Sequence, residues 1–145
     1  MDRVHPRKFE FALMVVVIGL IALLLFRALR SAHEEVEEST VQAEAAAMRV
    51  ELLDRLAHRE LYGGKLPESR NPLRWVVREL PGYLGELDVP PSQGGVWYFD
   101  RQRQELIYRF HSGREARFRL VRGTEMDKVQ GGLSGIGLRR VDDGR

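Results

Sequence analysis

Residues 11–26 read Phe-Ala-Leu-Met-Val-Val-Val-Ile-Gly-Leu-Ile-Ala-Leu-Leu-Leu-Phe, sixteen positions without a charge or a polar side chain. As a helix this run is about 24 Å long, and Ala28 and Leu29, with Lys8 and Arg27 reaching outward, extend it to the ~30 Å of a bilayer's hydrocarbon. A transmembrane helix over residues 9–29 is expected, with Phe11, Leu13, Val16, Ile18, Leu20, Leu24 and Phe26 facing membrane lipids. A cleaved secretory signal has a shorter apolar stretch followed by small residues. Here Arg27-Ala28-Leu29-Arg30 follows at once, which favours an uncleaved signal anchor. The run has no polar face, and a chain of 145 residues cannot bury it on all sides.

The flanks orient it. Arg3, Arg7 and Lys8 precede the span, whereas Arg27 and Arg30 follow it and give way to Glu34, Glu35, Glu37 and Glu38, so the basic excess reads the N-terminus as cytoplasmic. The layout that follows is a cytoplasmic tail over 1–8, the span over 9–29, an amphipathic continuation of the helix over 30–63 and a small α+β domain over 64–145. In a diderm bacterium that domain lies in the periplasm. Charge is zoned accordingly: five basic and two acidic groups in residues 1–30, five and nine in 31–71, thirteen and ten in 72–145. A net charge of only +2 gives no polycation for nucleic acid, and the lack of cysteine excludes disulfides and thiolate chemistry.

Between Pro6 and Pro67 there is no proline and, before Gly63, only Gly19, so one helix is expected from Phe9 to Leu61, stopped by Gly63-Gly64. Its second half repeats small or apolar residues at spacings of three and four through Val36, Thr40, Ala43, Ala47, Val50 and Ala57, widened by Val41, Met48, Leu52, Leu53 and Leu56. Glu51 and Arg55 are spaced for an i,i+4 pair. Asn71-Pro72 reads as an N-cap and first helical position, opening a helix Leu73–Leu80 with Trp75, Val76 and Leu80 inward. Pro81–Gly95 is expected to be a turn-rich connection. Val96–Asp100, Glu105–Phe110, Ala116–Val121 and Ile136–Val141 are expected strands, the first three joined by hairpin-length links, in an antiparallel sheet with one buried face. The sheet needs a cover, and the stripe on the long helix is the only one large enough. Leu52, Leu53 and Leu56 against Tyr108 and Phe118 are the expected contact. The class is therefore α+β, a long N-terminal helix packed on a small antiparallel β-sheet. A coiled coil with itself or a partner is the competing use of the stripe.

An apolar membrane helix continuing into an amphipathic half on a small sheet resembles type IV pilins and the pseudopilins of type II secretion. At residue level, Asn71-Pro72-Leu73-Arg74-Trp75, Gly82-Tyr83-Leu84-Gly85-Glu86, Gly95-Val96-Trp97-Tyr98-Phe99-Asp100 and Leu106-Ile107-Tyr108 look like the periplasmic part of pilus-biogenesis accessory proteins of the MshF type, from mannose-sensitive haemagglutinin (MSHA) pilus systems. The resemblance implies a bacterial inner-membrane component whose partners are other inner-membrane or pilin-like subunits, with a homo-oligomer among the options. One departure matters. Pilins are cut between glycine and a phenylalanine-like residue and carry glutamate fifth in the mature chain, whereas here Lys8 precedes Phe9, Leu13 is fifth and the nearby acid is Glu10. The chain is therefore expected to stay unprocessed.

No motif for catalysis emerges. His5, His33, His58 and His111 are too far apart for a helical metal pair, Ser39, Ser112 and Ser134 lack a nucleophile-elbow context, and Gly131–Gly137 lacks a P-loop lysine. Trp97, Tyr98, Phe99, Tyr108 and Phe110 with Arg109, Arg117 and Arg119 could in principle make a base-stacking face, but alternation sends about half of the rings into the core. No cofactor, metal or nucleic-acid partner is expected, and a non-enzyme is. The glutamates at 34–38 read as a solvated helix face. The rival to the pilus reading is a bitopic scaffold of another envelope machine, such as the division complex.

Overall fold

The computed structural model describes residues 6–122 and 136–141. The tail before Pro6, the glycine-rich stretch 123–135 and residues 142–145 lie outside the described residues. The elements in chain order are helix α1 (Pro6–Tyr62), a 3-10 turn (Pro72–Arg74) and strands β1 (Tyr83–Leu87), β2 (Val96–Asp100), β3 (Glu105–Arg109), β4 (Glu115–Arg122) and β5 (Ile136–Val141). Two compact units, Met1–Ser39 and Thr40–Arg145, divide the chain inside α1. The fold is α+β, one long N-terminal helix packed on a five-stranded, mostly antiparallel sheet.

The helix ends as its residues dictate. Gly63 adopts φ +73° and its N–H donates to the Arg59 carbonyl at 2.8 Å, closing the last turn. From Thr40 onward the buried positions are Val41, Ala45, Met48 and Leu52, spaced four, three and four apart. They share one cluster with Trp97, Phe99, Leu106, Ala116, Phe118, Leu120 and Leu138, and Leu56 and Tyr108 pack against it. The helix thus covers the sheet, but by a stripe rotated from the expected one. Val50 and Leu53 are 68% and 55% exposed, Ala43 and Ala57 are exposed, and Leu53, expected at the contact, points to solvent. Val36 is likewise exposed and Glu37, read as solvated, is buried. The stripe was ambiguous because small residues fill both sides of this helix, and alanine carries little information about which side is inward.

The strand order is β1-β2-β3-β4-β5. From β2 to β5 all neighbours are antiparallel, with Trp97 opposite Tyr108, Leu106 opposite Phe118 and Leu120 opposite Leu138. These residues face the helix. Contrary to the expected single buried face, all five residues of β2 are buried, and Ile107 on the opposite side of the sheet is fully so. Val96, Tyr98, Ile107 and Val121 are the buried apolar residues of that opposite side.

Two elements differ from expectation. The helix Leu73–Leu80 shrinks to the turn Pro72–Arg74. Beyond Trp75 the backbone leaves helical geometry because Val77 N–H donates to Glu51 Oε1 at 2.7 Å instead of to a carbonyl one turn back. Pro81 in addition disfavours helical geometry at Leu80. Trp75, Val76 and Leu80 are still buried, held as an irregular strap on which Arg78 also pairs with Glu44 at 2.8 Å. The Glu51–Arg55 pair is replaced by this use of Glu51. Second, the expected connection Pro81–Gly95 contains strand β1, which runs parallel to β2 and shifts register between Tyr83 and Glu86. Gly85, at φ +101°, absorbs the irregularity. It also breaks the alternation by which a strand is recognised.

Candidate functional site

The described residues hold two features that could carry function: an uncovered apolar helix and a polar clasp beside the edge strand. The first follows from composition. Arg7–Tyr62 is the one helix among the described residues long and apolar enough to cross a membrane. Phe11, Leu13, Val16, Ile18, Leu20, Leu24 and Phe26, all within this candidate span, are each 55–70% exposed. The Arg30 guanidinium lies 4.7 Å from the Phe26 ring centroid, folded back over the last aromatic of the band.

The clasp is built from residues of the sequence motif. Asn71, 2% exposed, is the N-cap of the 3-10 turn, and its Oδ1 accepts from the Leu73 N–H at 3.1 Å. Its Nδ2 donates to the Tyr83 hydroxyl at 3.0 Å and to Glu86 Oε1 at 2.9 Å. Asn71 N–H donates in turn to Ser69 Oγ at 3.1 Å, and the Trp75 indole N–H donates to the Ser69 carbonyl at 2.8 Å. Glu86 is flanked by Arg74 at 3.4 Å and Arg101 at 3.6 Å. The hydrogen bond from Asn71 holds the Glu86 carboxyl below the usual range, with the two guanidinium groups adding to the effect. Burial raises the Tyr83 phenol.

This chemistry ties chain to chain. Both amide hydrogens of Asn71 are spent within the clasp, and the carboxylate of Glu86 is flanked by guanidinium groups on both sides, so the clasp's visible work is to fasten the loop before the 3-10 turn to β1. Asn71, Pro72, Trp75, Tyr83 and Glu86, quoted above from separate strings, are brought together by it. Gly85 serves the β1 irregularity. Gly95, at φ +76°, lies under the His111 ring, where an added Cβ would come within 2.7 Å of Nε2. Trp97, Phe99 and Tyr108 are packed side by side on the helix-facing side, Trp97 and Tyr108 with ring centroids 5.0 Å apart. Asp100 closes the β2–β3 turn by accepting from Gln102 and Arg103 N–H at 2.8 and 3.0 Å. Sequence reasoning missed the participation of Ser69 and Arg101, whose positions carry no local signal. Asn71-Pro72, an N-cap before proline, was the only legible trace.

The aromatic and basic residues do not form a stacking platform. Tyr98 is 1% exposed, on the opposite side of the sheet from Trp97, and donates its hydroxyl to Glu115 Oε1 at 3.2 Å, which Arg109 also meets at 3.3 Å. Burial, with the Glu115 carboxylate next, pushes the Tyr98 phenol up to about 12. Arg119 pairs with the buried Glu105. Among the described residues no group of three or more histidine, aspartate or glutamate side chains could hold a metal ion. No protein-family model matches the chain, and no curated protein and no solved structure matches it either.

Proposed function

We propose that this chain is a non-enzymatic, single-pass inner-membrane component of type IV pilus biogenesis of the MSHA kind, or of a related type II secretion apparatus. It would act through helix packing in the bilayer and contacts of a periplasmic domain. The observation that carries the reading is the pairing of an uncovered apolar band with a helix whose later turns roof a small sheet. That pairing gives the first unit a surface suited to lipid and the second a folded domain suited to water. The N-terminus is cytoplasmic and the sheet domain periplasmic in this reading, from the basic flank at Arg3, Arg7 and Lys8.

The test has two parts. A phosphatase fused after Arg145 should be active, and a fluorescent protein that matures only in the cytoplasm should be dark there; the reverse removes the reading. Deletion of the gene should abolish surface pili, or secretion through the related machine, without affecting division. The alternative of a division-type scaffold is favoured by one observation, Lys8 where a prepilin has its glycine before the cut. Filamentous cells with normal pili would establish that alternative.

A further inference from the structure

The helix of the Thr40–Arg145 unit has two apolar sides. Val41, Ala45, Met48 and Leu52 lie under the sheet. On the opposite side Ala43, Ala46, Val50, Leu53, Ala57 and Leu61 are exposed, with Val50, Leu53 and Leu61 at 68%, 55% and 76%. We propose that this outer side is the seam of a parallel, in-register pair of helices formed with a second copy of the chain, an assignment that rests on the membrane-anchor reading above.

Three observations select that occupant. The first is period. Ala43, Val50 and Ala57 recur every seven residues, as do Ala46 and Leu53, giving alternate steps of three and four, a repeat that a second helix wound alongside can follow. The second is orientation. Copies anchored by the same N-terminal band leave the same membrane surface in the same direction, so identical heptads meet in parallel without any search for register.

The third is charge. With Ala43, Val50 and Ala57 at the a positions, Arg49 falls at g and Asp54 at the following e. These are the positions that face each other between parallel helices, twice by symmetry. An antiparallel pairing would instead set g against g and e against e. Asp54 is exposed and without an ion pair among the described residues, and Arg49 uses only its Nε, donating to the Leu138 carbonyl at 2.8 Å. Leu56 and Leu61 occupy the next g and e positions beside Ala57, and the apolar pattern ends at Glu60, which takes the following d position. The alanines let the backbones approach closely.

Because the chain has no cysteine, single-cysteine variants of the full-length protein in native membranes report the seam directly. Membranes are first washed with alkaline carbonate and then oxidised with copper phenanthroline. Val50→Cys and Leu53→Cys should give disulfide-linked dimers, whereas Arg59→Cys, exposed on the other side of the helix, should give none. Leu53→Glu, at an exposed position and so harmless to folding, should abolish the dimer seen by sedimentation in detergent. Asp54→Lys should weaken association about two- to fivefold, the scale of an exposed ion pair. Protein that stays in the washed membranes while Val50→Cys remains monomeric, or a Leu53→Glu variant that stays dimeric, overturns the seam and leaves the anchor reading intact. Protein that washes off defeats the anchor reading instead. The soluble chain is then sedimented alone: a dimer broken by Leu53→Glu keeps the seam, and a monomer ends it.

Discussion

Asn71 does more per atom than any other polar side chain of the clasp: one cap bond to Leu73 N–H and two amide bonds, to Tyr83 and Glu86. Removing it uncaps the turn and strands two polar groups near the edge strand, so Asn71→Ala should cost about 2–3 kcal/mol in urea unfolding. It should also blunt the acid response. A carboxyl held below its ordinary value in the folded state binds fewer protons there than when unfolded. Glu86 therefore contributes stability above the usual carboxylate range, and that contribution is lost as pH falls toward the folded value. In the variant this acid limb should be shallower. Tyr98 has the opposite sign. Its folded value of about 12 lies above the ordinary 10, so its contribution is complete below pH 10 and drains away as pH rises toward 12. Tyr98→Phe should flatten stability across that window, and an unchanged alkaline limb would show that Tyr98 is not its source. Gly95→Ala combines a left-handed backbone with a collision against His111 and should destabilise by about 2 kcal/mol or more.

Leu52 and Leu53 are neighbours in sequence and belong to different surfaces of α1. Leu52 is 1% exposed in the cluster under the sheet and Leu53 is 55% exposed. In full-length protein held in detergent, Leu52→Ala should lower the unfolding free energy of the sheet domain by about 2–5 kcal/mol. Leu53→Ala, compared at a dilution that leaves the chain monomeric, should change it by no more than about 0.5 kcal/mol. Equal effects would mean that the helix roofs the sheet by some other stripe. The strands β2, β3 and β4 were legible because they are runs rich in branched or aromatic residues joined by hairpin-length links, and their observed limits match or fall within one residue of the expected ones. β1 was not. Its hydrogen bonds go to β2, a partner reached only after the proline-bearing connection, and Gly85 hides its alternation. The segment after Asn71 failed in the other direction, since its local helix signals were outbid by a carboxylate of α1 that no local window contains.

At the scale of the chain, two units share one helix, Met1–Ser39 carrying the apolar band and Thr40–Arg145 carrying the sheet. With Lys8 before Phe9 and Leu13 in the fifth place, the band should remain joined to the residues before it. Mass spectrometry of the purified protein should find residues 2–8 still attached to Phe9. A mature start at Phe9 would show that the peptidase accepts lysine and would restore a fibre-subunit role. What the sequence determined alone was whatever depends on composition and short-range pattern: the apolar band, the uninterrupted helix and its glycine stop, the four antiparallel strands and the α+β class. These are summed preferences of single residues and near neighbours, so a linear reading captures them. Tertiary structure decided which side of the helix lies under the sheet, that Asn71, Tyr83 and Glu86 meet, and that β1 exists at all. Each of those outcomes is a choice between alternatives that are nearly equal locally. Two apolar stripes compete on one helix, an amide can find several acceptors, and a glycine-broken segment is free to pair or not. Contacts from residues distant in sequence, made only once the chain has folded, supply the free energy that separates them.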